Sequence, residues 1–115
     1  MMAEEHKIPD DPVAFIKKCL HERHIYWTYH VNMRLAGRHI TRSEILEEID
    51  GYEIVESYPD DKYLPSYLLL GKAAGVNFHA LFAVDVEGDN VRIVTAYRPN
   101  PNEWETDMRT RRRIP

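Results

Sequence analysis

The sequence predicts an α+β fold in which N-terminal helices pack on a twisted antiparallel sheet. In the first half of the chain, apolar residues recur three and four positions apart, which is the spacing of one helix face. In the second half, apolar and polar residues alternate, as in strands with one buried face. Because the helices precede the strands and do not alternate with them, the order favours α+β over α/β.

The length of 115 residues predicts a single domain, residues 1–115, with one core. No apolar run approaches the roughly 20 residues that span a bilayer, and the N-terminus lacks the apolar stretch of a signal peptide. Cys19 is the single cysteine, which excludes an internal disulfide and fits a reducing compartment. We therefore expect a cytoplasmic protein that makes no membrane contact.

The first helix is predicted over residues 11–23, as an extension in front of the domain core. Asp11 and Pro12 form an acidic cap and a first-turn proline, both typical of a helix start. The apolar positions then fall on one face: Val13, Ile16, Cys19 and Leu20. Cys19 is therefore expected to pack in the core and not to act as a nucleophile.

A short strand is predicted at Ile25–Trp27, followed by a helix over residues 29–36 that Thr28 caps and Gly37 ends. Residues 41–44 match the capping box that opens a third helix, which Gly51 closes. Four strands follow, over residues 52–58, 67–70, 78–86 and 91–97, with a chain break at residues 59–61 and a loop at residues 71–77.

The last two strands should form a hairpin around a turn at residues 87–90. If that turn has four residues, Asp85 faces Arg92, an opposite-charge pair that supports the register. Continuing outward, His79 faces Arg98 at the end of the sheet farthest from the turn. This register would place an imidazole beside a guanidinium on one sheet face.

The net charge of −4 is unevenly distributed. Residues 1–91 hold 9 basic and 16 acidic side chains, whereas residues 92–115 hold 6 arginines and 3 acids. Proteins that bind nucleic acid over a wide surface are normally basic, so RNA binding here would need a local patch. The arginines near the C-terminus can bind RNA phosphates or an acidic groove of a partner, or can simply be solvated.

One helix carries the residues best suited to phosphodiester chemistry. His30 and Arg34 lie four positions apart, and Arg38 follows just beyond the predicted helix end. Histidine can move a proton near neutral pH, and arginine can hold phosphate oxygens. The structural alternative is that His30 bonds a backbone group while the arginines cover a helix face or pair with Glu44 or Glu48.

A metal site is not expected from the sequence. His21 and His24 lie three positions apart beside Glu22, but no HExxH pattern and no cysteine pair completes a site. No nucleotide-cofactor or phosphate-loop motif occurs either. We therefore expect neither a metal nor another cofactor.

Two stretches resemble a known family. Residues 28–51 read T-x-H-x-x-x-R-L-x-x-R-x-I-T-x-x-E-I-x-x-x-I-x-G, and residues 93–109 read I-x-T-x-Y-x-P-x-x-x-x-W-x-x-x-x-R. Together they resemble the domain-of-unknown-function family forty-two fifty-eight, which is similar to the RelE and BrnT toxins, ribonucleases of type II toxin–antitoxin systems. The resemblance covers residues 25–109 and leaves residues 110–115 as a basic tail.

This resemblance implies a RelE-toxin-like α+β fold and a metal-independent endoribonuclease. It also implies an antitoxin protein and an RNA substrate as partners, and a homodimer is compatible with it. The acidic balance of the chain departs from the basic character of many RelE-like toxins. The positions carried over from the family pattern are His30, Arg34, Arg38, Tyr97, Trp104 and Arg109.

The residues and the resemblance together give a set of expected roles. His30 or His79 would transfer protons, and Tyr97 would position the substrate. Phosphate stabilisation is assigned to Arg34, Arg38 and Arg98, and RNA or partner binding to Trp104, Arg109 and Arg111. The alternative function is a non-catalytic interaction module whose sheet or arginine-rich end docks a protein partner.

Overall fold

Three α-helices and five strands make up the part of the chain that the computed structural model describes, residues 7–38 and 40–112 without the His30 side chain. The helices are α1 (Pro12–His21), α2 (Tyr29–Gly37) and α3 (Arg42–Glu47), and a one-turn 3-10 helix follows at Ile49–Gly51. The strands are β1 (Ile25–Trp27), β2 (Glu53–Tyr58), β3 (Ser66–Ala73), β4 (Val76–Asp85) and β5 (Asn90–Tyr97). The predicted α+β class is confirmed.

Each helix begins where the sequence provides a cap. The side chains of Asp11 and Thr28 each accept the backbone N–H of the residue three positions on. Thr41 and Glu44 form the complete capping box, in which each side chain accepts the backbone N–H of the other residue at 3.0 and 2.9 Å. The structure therefore confirms the helix starts that the sequence predicts.

The five strands form one sheet in the order β1-β5-β4-β3-β2. Strands β2 to β5 are antiparallel neighbours, as predicted. Strand β1 instead pairs in parallel with β5, so that Ile25 lies opposite Val91 and Trp27 opposite Ile93. The sheet is therefore mixed, with one parallel pair and three antiparallel pairs among the described strands. The parallel pair joins the first and last of these strands, β1 and β5.

The prediction of a loop at residues 71–77 is wrong. Strand β3 continues to Ala73, β4 starts at Val76, and a two-residue turn of Ala74 and Gly75 joins them. Both turn residues have positive φ, 53° and 78°, which is the geometry that matches the right-handed twist of a tight hairpin. The glycine fits this geometry, whereas an alanine with positive φ gives no signal in the sequence.

The predicted register between β4 and β5 is also wrong. The turn consists of residues 86–89, because the Asp85 carboxylate accepts the Gly88 N–H at 2.9 Å and Asp85 pairs with Asn90. A bulge in β5 then adds one residue at Val94. His79 consequently lies opposite Tyr97 and not opposite Arg98.

The two faces of the sheet are buried by different parts of the chain. Alternate residues of β4, from Phe78 to Val84, join the helices in the main core, which includes Ile16, Leu35 and Ile45. Cys19 packs in the same core, and burial raises the pKa of its thiol to about 11, so the predicted packing role is confirmed. The opposite face carries His79, which residues 99–112, here called the C-terminal segment, help to bury.

None of the helices among the described residues is long and apolar enough to cross a membrane.

Candidate functional site

A pocket of about 290 Å³ opens on the sheet face that points away from the helices. Its floor is apolar, because Leu68 of β3 and Leu81 of β4 are direct cross-strand partners and Thr95 of β5 lies opposite Leu81. We call it the sheet-face pocket, and its lining residues are Tyr58, Asp61, Leu68, Leu81, Thr95, Tyr97 and Arg111. Its volume suits a small ligand, not a folded partner.

The bulge in β5 selects which side chains reach this pocket. Phe82 lies opposite Ile93 before the bulge, and Leu81 lies opposite Thr95 after it. Without the additional residue, the side-chain alternation would turn Val94 and Ala96 toward the pocket and would direct Tyr97 into the helix-packed core. The bulge therefore brings the Tyr97 phenol to the site.

Arg111 is held at the edge of the pocket by a two-bond ion pair. Its Nε and Nη2 groups donate to the two carboxylate oxygens of Glu56 at 2.6 and 3.1 Å, and the Tyr58 hydroxyl also donates to Glu56. The guanidinium lies 4.5 Å from the centre of the Trp104 ring. Hydrogen bonding to Arg111 lowers the pKa of Glu56 and raises that of Arg111. Glu56 takes only two of the five N–H groups of the arginine.

His79 lies beneath the pocket and not in its wall. Its side chain is fully buried, and its ring makes edge-on contacts with Tyr97 and Trp104 at centroid distances of 5.4 and 4.5 Å. Nε2 donates to the Met108 carbonyl at 2.6 Å, so in the neutral ring Nδ1 is the acceptor that faces the Tyr97 hydroxyl at 3.4 Å. Burial lowers the pKa of His79, which favours the neutral imidazole.

The lowered pKa of His79 predicts that acid destabilises the fold. As the pH falls below the usual histidine pKa of 6.5, His79 becomes protonated in the unfolded chain but stays neutral in the native state. The unfolded state then binds more protons, so the free energy of unfolding decreases. His79→Gln keeps a donor for Met108 but cannot titrate, so it should remove this loss. Urea unfolding at pH 8 and at pH 5.5 measures it, with exposed His21→Gln as the control. An equal loss in wild type and His79→Gln would contradict the assignment.

Arg38 holds the outer edge of β5 beside the pocket. The pairing of β1 ends at Ile93, and beyond it the Arg38 guanidinium donates to the Ala96 carbonyl at 2.7 Å and to the Thr95 hydroxyl at 3.1 Å. The side chain thus takes the place of a neighbouring strand at the bulge. Of the two arginines predicted in and just after this helix, Arg34 and Arg38, it is Arg38 that contacts a pocket residue, Thr95.

The other predicted phosphate ligands lie elsewhere. Arg34 is exposed on α2 and makes no ion pair or hydrogen bond with the residues that the structure describes. Arg98 donates to the carbonyls of Val76 and Asn77 at the start of β4 and does not line the pocket. The His30 backbone belongs to α2, and its side chain lies outside the described residues.

The arginine-rich end is largely paired with acids of the same chain. Arg109 forms an ion pair with Glu53, and Arg112 contacts Glu105 at 3.4 Å. Trp104 is only 1% exposed, so its ring packs against His79 and does not face solvent. Residues 110–112, expected in a basic tail, fold back in the C-terminal segment, and residues 113–115 lie outside the described part of the chain.

The sequence reasoning missed three ionisable residues of this site, Glu56, Tyr58 and Asp61, as well as the floor residues. Glu56 and Tyr58 lie two positions apart on β2, and this alternation was the available signal that they share a face. Asp61 falls in the predicted chain break, where its carboxylate accepts the Ser66 hydroxyl at 2.5 Å and the Lys62 N–H at 3.0 Å. The sequence gives no indication that this loop residue returns to the sheet.

A cluster of side chains of metal-ligand type lies at the other end of β5. The ligand atoms of Glu22, His24 and Asp89 lie within 4.8 Å of one another. The Lys18 ammonium already pairs with Asp89, and His21 bonds Asp50 at 3.0 Å and does not join the group. Glu22 and His24 are exposed and Asp89 is half-buried, and none of the three lines the sheet-face pocket, so they are not part of the candidate site.

Comparison with known proteins yields one match. A family model described as Domain of unknown function (DUF4258) matches residues 27–98. The match extends from the end of β1 to just beyond β5 and includes all the pocket residues except Arg111. Neither the curated proteins nor the solved structures contain a significant match to the chain.

Proposed function

The chain belongs to the family Domain of unknown function (DUF4258), and from its sheet-face pocket we propose that it binds and cleaves single-stranded RNA without a metal ion, as a RelE- or BrnT-like toxin. The observation that carries the proposal is the set of groups around one apolar floor: two phenols, a carboxylate and a guanidinium. These belong to Tyr58, Tyr97, Asp61 and Arg111. Binding, proton transfer and charge neutralisation can therefore take place in one pocket.

The pocket has the chemistry of a site for one unstacked nucleotide. The rings of Tyr58 and Tyr97 stand beside the Leu68 and Leu81 floor, where a base can stack. A phosphate would bind the N–H groups of Arg111 that Glu56 leaves available. Since Glu56 competes for the same guanidinium, we expect Arg111 to orient the phosphate in the pocket more than to increase the affinity for RNA.

Metal-independent cleavage requires an acceptor and a donor for protons. We propose that Asp61 accepts the proton of the ribose 2′-hydroxyl, whose oxygen then forms a bond to phosphorus. The bond from phosphorus to the 5′-oxygen breaks, and that oxygen takes a proton from the Tyr97 phenol. Burial raises the pKa of Tyr97, so the phenol carries its proton at neutral pH. Solvent returns the proton from Asp61 to Tyr97.

The negative charge that develops on the phosphate needs fixed donors. Arg111 supplies one from the edge of the pocket. Arg38 contributes through its bond to Thr95, which keeps the end of β5 in place. His79 is fully buried beneath Tyr97, so we assign it a positioning role and not proton transfer to the substrate.

Product analysis tests this proposal. Incubation of the purified protein with single-stranded RNA should give fragments that end in a 2′,3′-cyclic phosphate and begin with a 5′-hydroxyl. The rate should not change when a chelator is present, and RNA with 2′-deoxyribose at the cleavage position should resist. No cleavage at all, or cleavage that the chelator abolishes, would contradict the mechanism.

A growth assay tests the toxin role separately. Induction of the wild-type chain in a bacterial host should arrest growth, whereas Tyr97→Phe should not. A non-catalytic interaction module is the second candidate, because Tyr29 and Met33 lie on one side of α2 with exposures of 79% and 60%. Equal, harmless expression of both forms together with intact RNA would favour this second candidate.

A further inference from the structure

A second hollow of about 310 Å³ lies beside the sheet-face pocket. Its floor and walls include Leu64, Ala83 and Val94, and its polar groups come from Tyr63, Arg92 and Asp61. Asp61 belongs to both cavities. The two hollows therefore adjoin at this carboxylate.

Strand geometry shows that the two hollows share one face of the sheet. Leu81 lines the first and Ala83 the second, and they stand two positions apart on β4. Residues two apart on a strand point to the same side and lie roughly 7 Å from each other. On β5, Thr95 lies opposite Leu81 and Arg92 lies opposite Ala83, and the bulge residue Val94 between them lines the second hollow. The two floors therefore form a continuous groove.

We infer that this groove binds two consecutive nucleotides of an RNA single strand, one in the sheet-face pocket and the next in the second hollow. The inference rests on the proposed function and extends it to the substrate. The linking phosphodiester then lies beside Asp61, where the proposed mechanism needs a proton acceptor. The minimal substrate is thus a dinucleotide unit, not a mononucleotide.

The second hollow has the groups that a nucleotide requires. Tyr63 is 75% exposed, so its ring is available for a base to stack on. Arg92 is exposed, and its contact with Asp85 is long, at 4.0 Å, so the guanidinium can turn to a phosphate. The apolar floor matches that of the first pocket, which suits a second base.

The loop that forms the edge of this hollow is fixed to the sheet at its two ends. The Pro65 carbonyl accepts the Val84 N–H at 2.8 Å, and Asp61 accepts the Ser66 hydroxyl. Tyr63 lies between these two anchors. The hollow is therefore held in shape by the fold itself. An RNA strand that lies in the groove passes Asp61 and then contacts Arg92 and Tyr63.

Non-cleavable RNAs of increasing length test the inference. A 2′-O-methyl ribose has no free hydroxyl to attack, so binding can be followed without cleavage, by the shifts of backbone amide NMR signals. One stacked base contributes about 1–3 kcal/mol, so the affinity for a dinucleotide should exceed that for a 3′-mononucleotide by roughly 5- to 150-fold. The amide signals of Ala83 and Val94 should shift when the dinucleotide is added and should not shift when the mononucleotide is added.

Variants of the second hollow should remove this gain selectively. Arg92→Gln and Tyr63→Ala should bind the dinucleotide little better than the mononucleotide, and their mononucleotide affinity should equal that of wild type. Lys72→Gln is the charge-matched control, since Lys72 is exposed and lines neither hollow. It should retain the full gain.

The outcomes separate this inference from the proposed function. Mononucleotide binding without a gain for the dinucleotide overturns the second subsite and leaves the first intact. A gain that persists in both Arg92→Gln and Tyr63→Ala also overturns it, because the added nucleotide then binds elsewhere. Failure of every RNA to bind contradicts the proposed function itself.

Discussion

Trp104→Ala is expected to lower the free energy of unfolding by about 3–5 kcal/mol. The indole is 1% exposed, makes an edge-on contact with the His79 ring and lies beneath the Arg111 guanidinium. Its removal leaves a cavity between the sheet and the C-terminal segment. Because the free energy of unfolding of small domains is only about 5–15 kcal/mol, this single change should remove a large part of it. Urea unfolding measures it.

A matched aromatic truncation on the surface provides the control. Tyr29 is 79% exposed at the start of α2, so Tyr29→Ala should stay within about 0.5 kcal/mol of wild type. Trypsin adds a local measurement, since loss of the indole should expose the peptide bonds after Arg109 and Arg111 to faster cleavage. If Trp104→Ala unfolds at the same urea concentration as Tyr29→Ala, the tryptophan does not anchor the segment.

The helical part of the fold was predictable because its signals are local. A cap involves residues three positions apart, so Thr41 and Glu44 can be recognised as a box without knowledge of the rest of the chain. The strands themselves were also recognisable, because alternation is a local property. Their pairing was not, since β1 binds β5 across most of the chain and nothing in Ile25–Trp27 identifies that partner.

The register failed for a related reason. The bulge at Val94 lies beside contacts from a distant part of the chain, since Arg38 bonds Thr95 and Ala96 just after it. Pairing Asp85 with Arg92 gave a charge match, but the side chain of Asp85 is used within the turn to accept the Gly88 N–H. The direct cross-strand partner of Asp85 is Asn90, and its contact with Arg92 is a diagonal one at 4.0 Å, so the charge match did not define the register.

The candidate site was predictable only in part. Tyr97 was recognised from the family pattern and Arg111 from the arginine cluster near the C-terminus, and both line the sheet-face pocket. Tyr58 and Asp61 were not, because they reach it only when β2 pairs with β3 and the following loop folds back. The chemical character of a residue can be read from the sequence, whereas the sheet is needed to bring together residues that lie 36 to 53 positions apart.

Tyr97→Phe is expected to reduce the rate of RNA cleavage by about 100-fold or more, which is the usual range for loss of a general acid. Phenylalanine keeps the ring that packs on His79 and that can stack on a base, and it deletes only the hydroxyl. Among the described residues, that hydroxyl makes one long hydrogen-bond contact, 3.4 Å to His79, so the free energy of unfolding should change little. The loss should therefore appear in kcat, with KM nearly unchanged.

Asp61→Asn supplies the complementary variant. Asparagine can still accept the Ser66 hydroxyl through its side-chain oxygen, but it cannot take a proton from the 2′-hydroxyl. Its kcat should fall on a similar scale. Since the two groups serve one transition state, the double variant should be little slower than either single one. If either variant cleaves RNA at the wild-type rate, that residue has no part in proton transfer, and the pocket would serve binding alone.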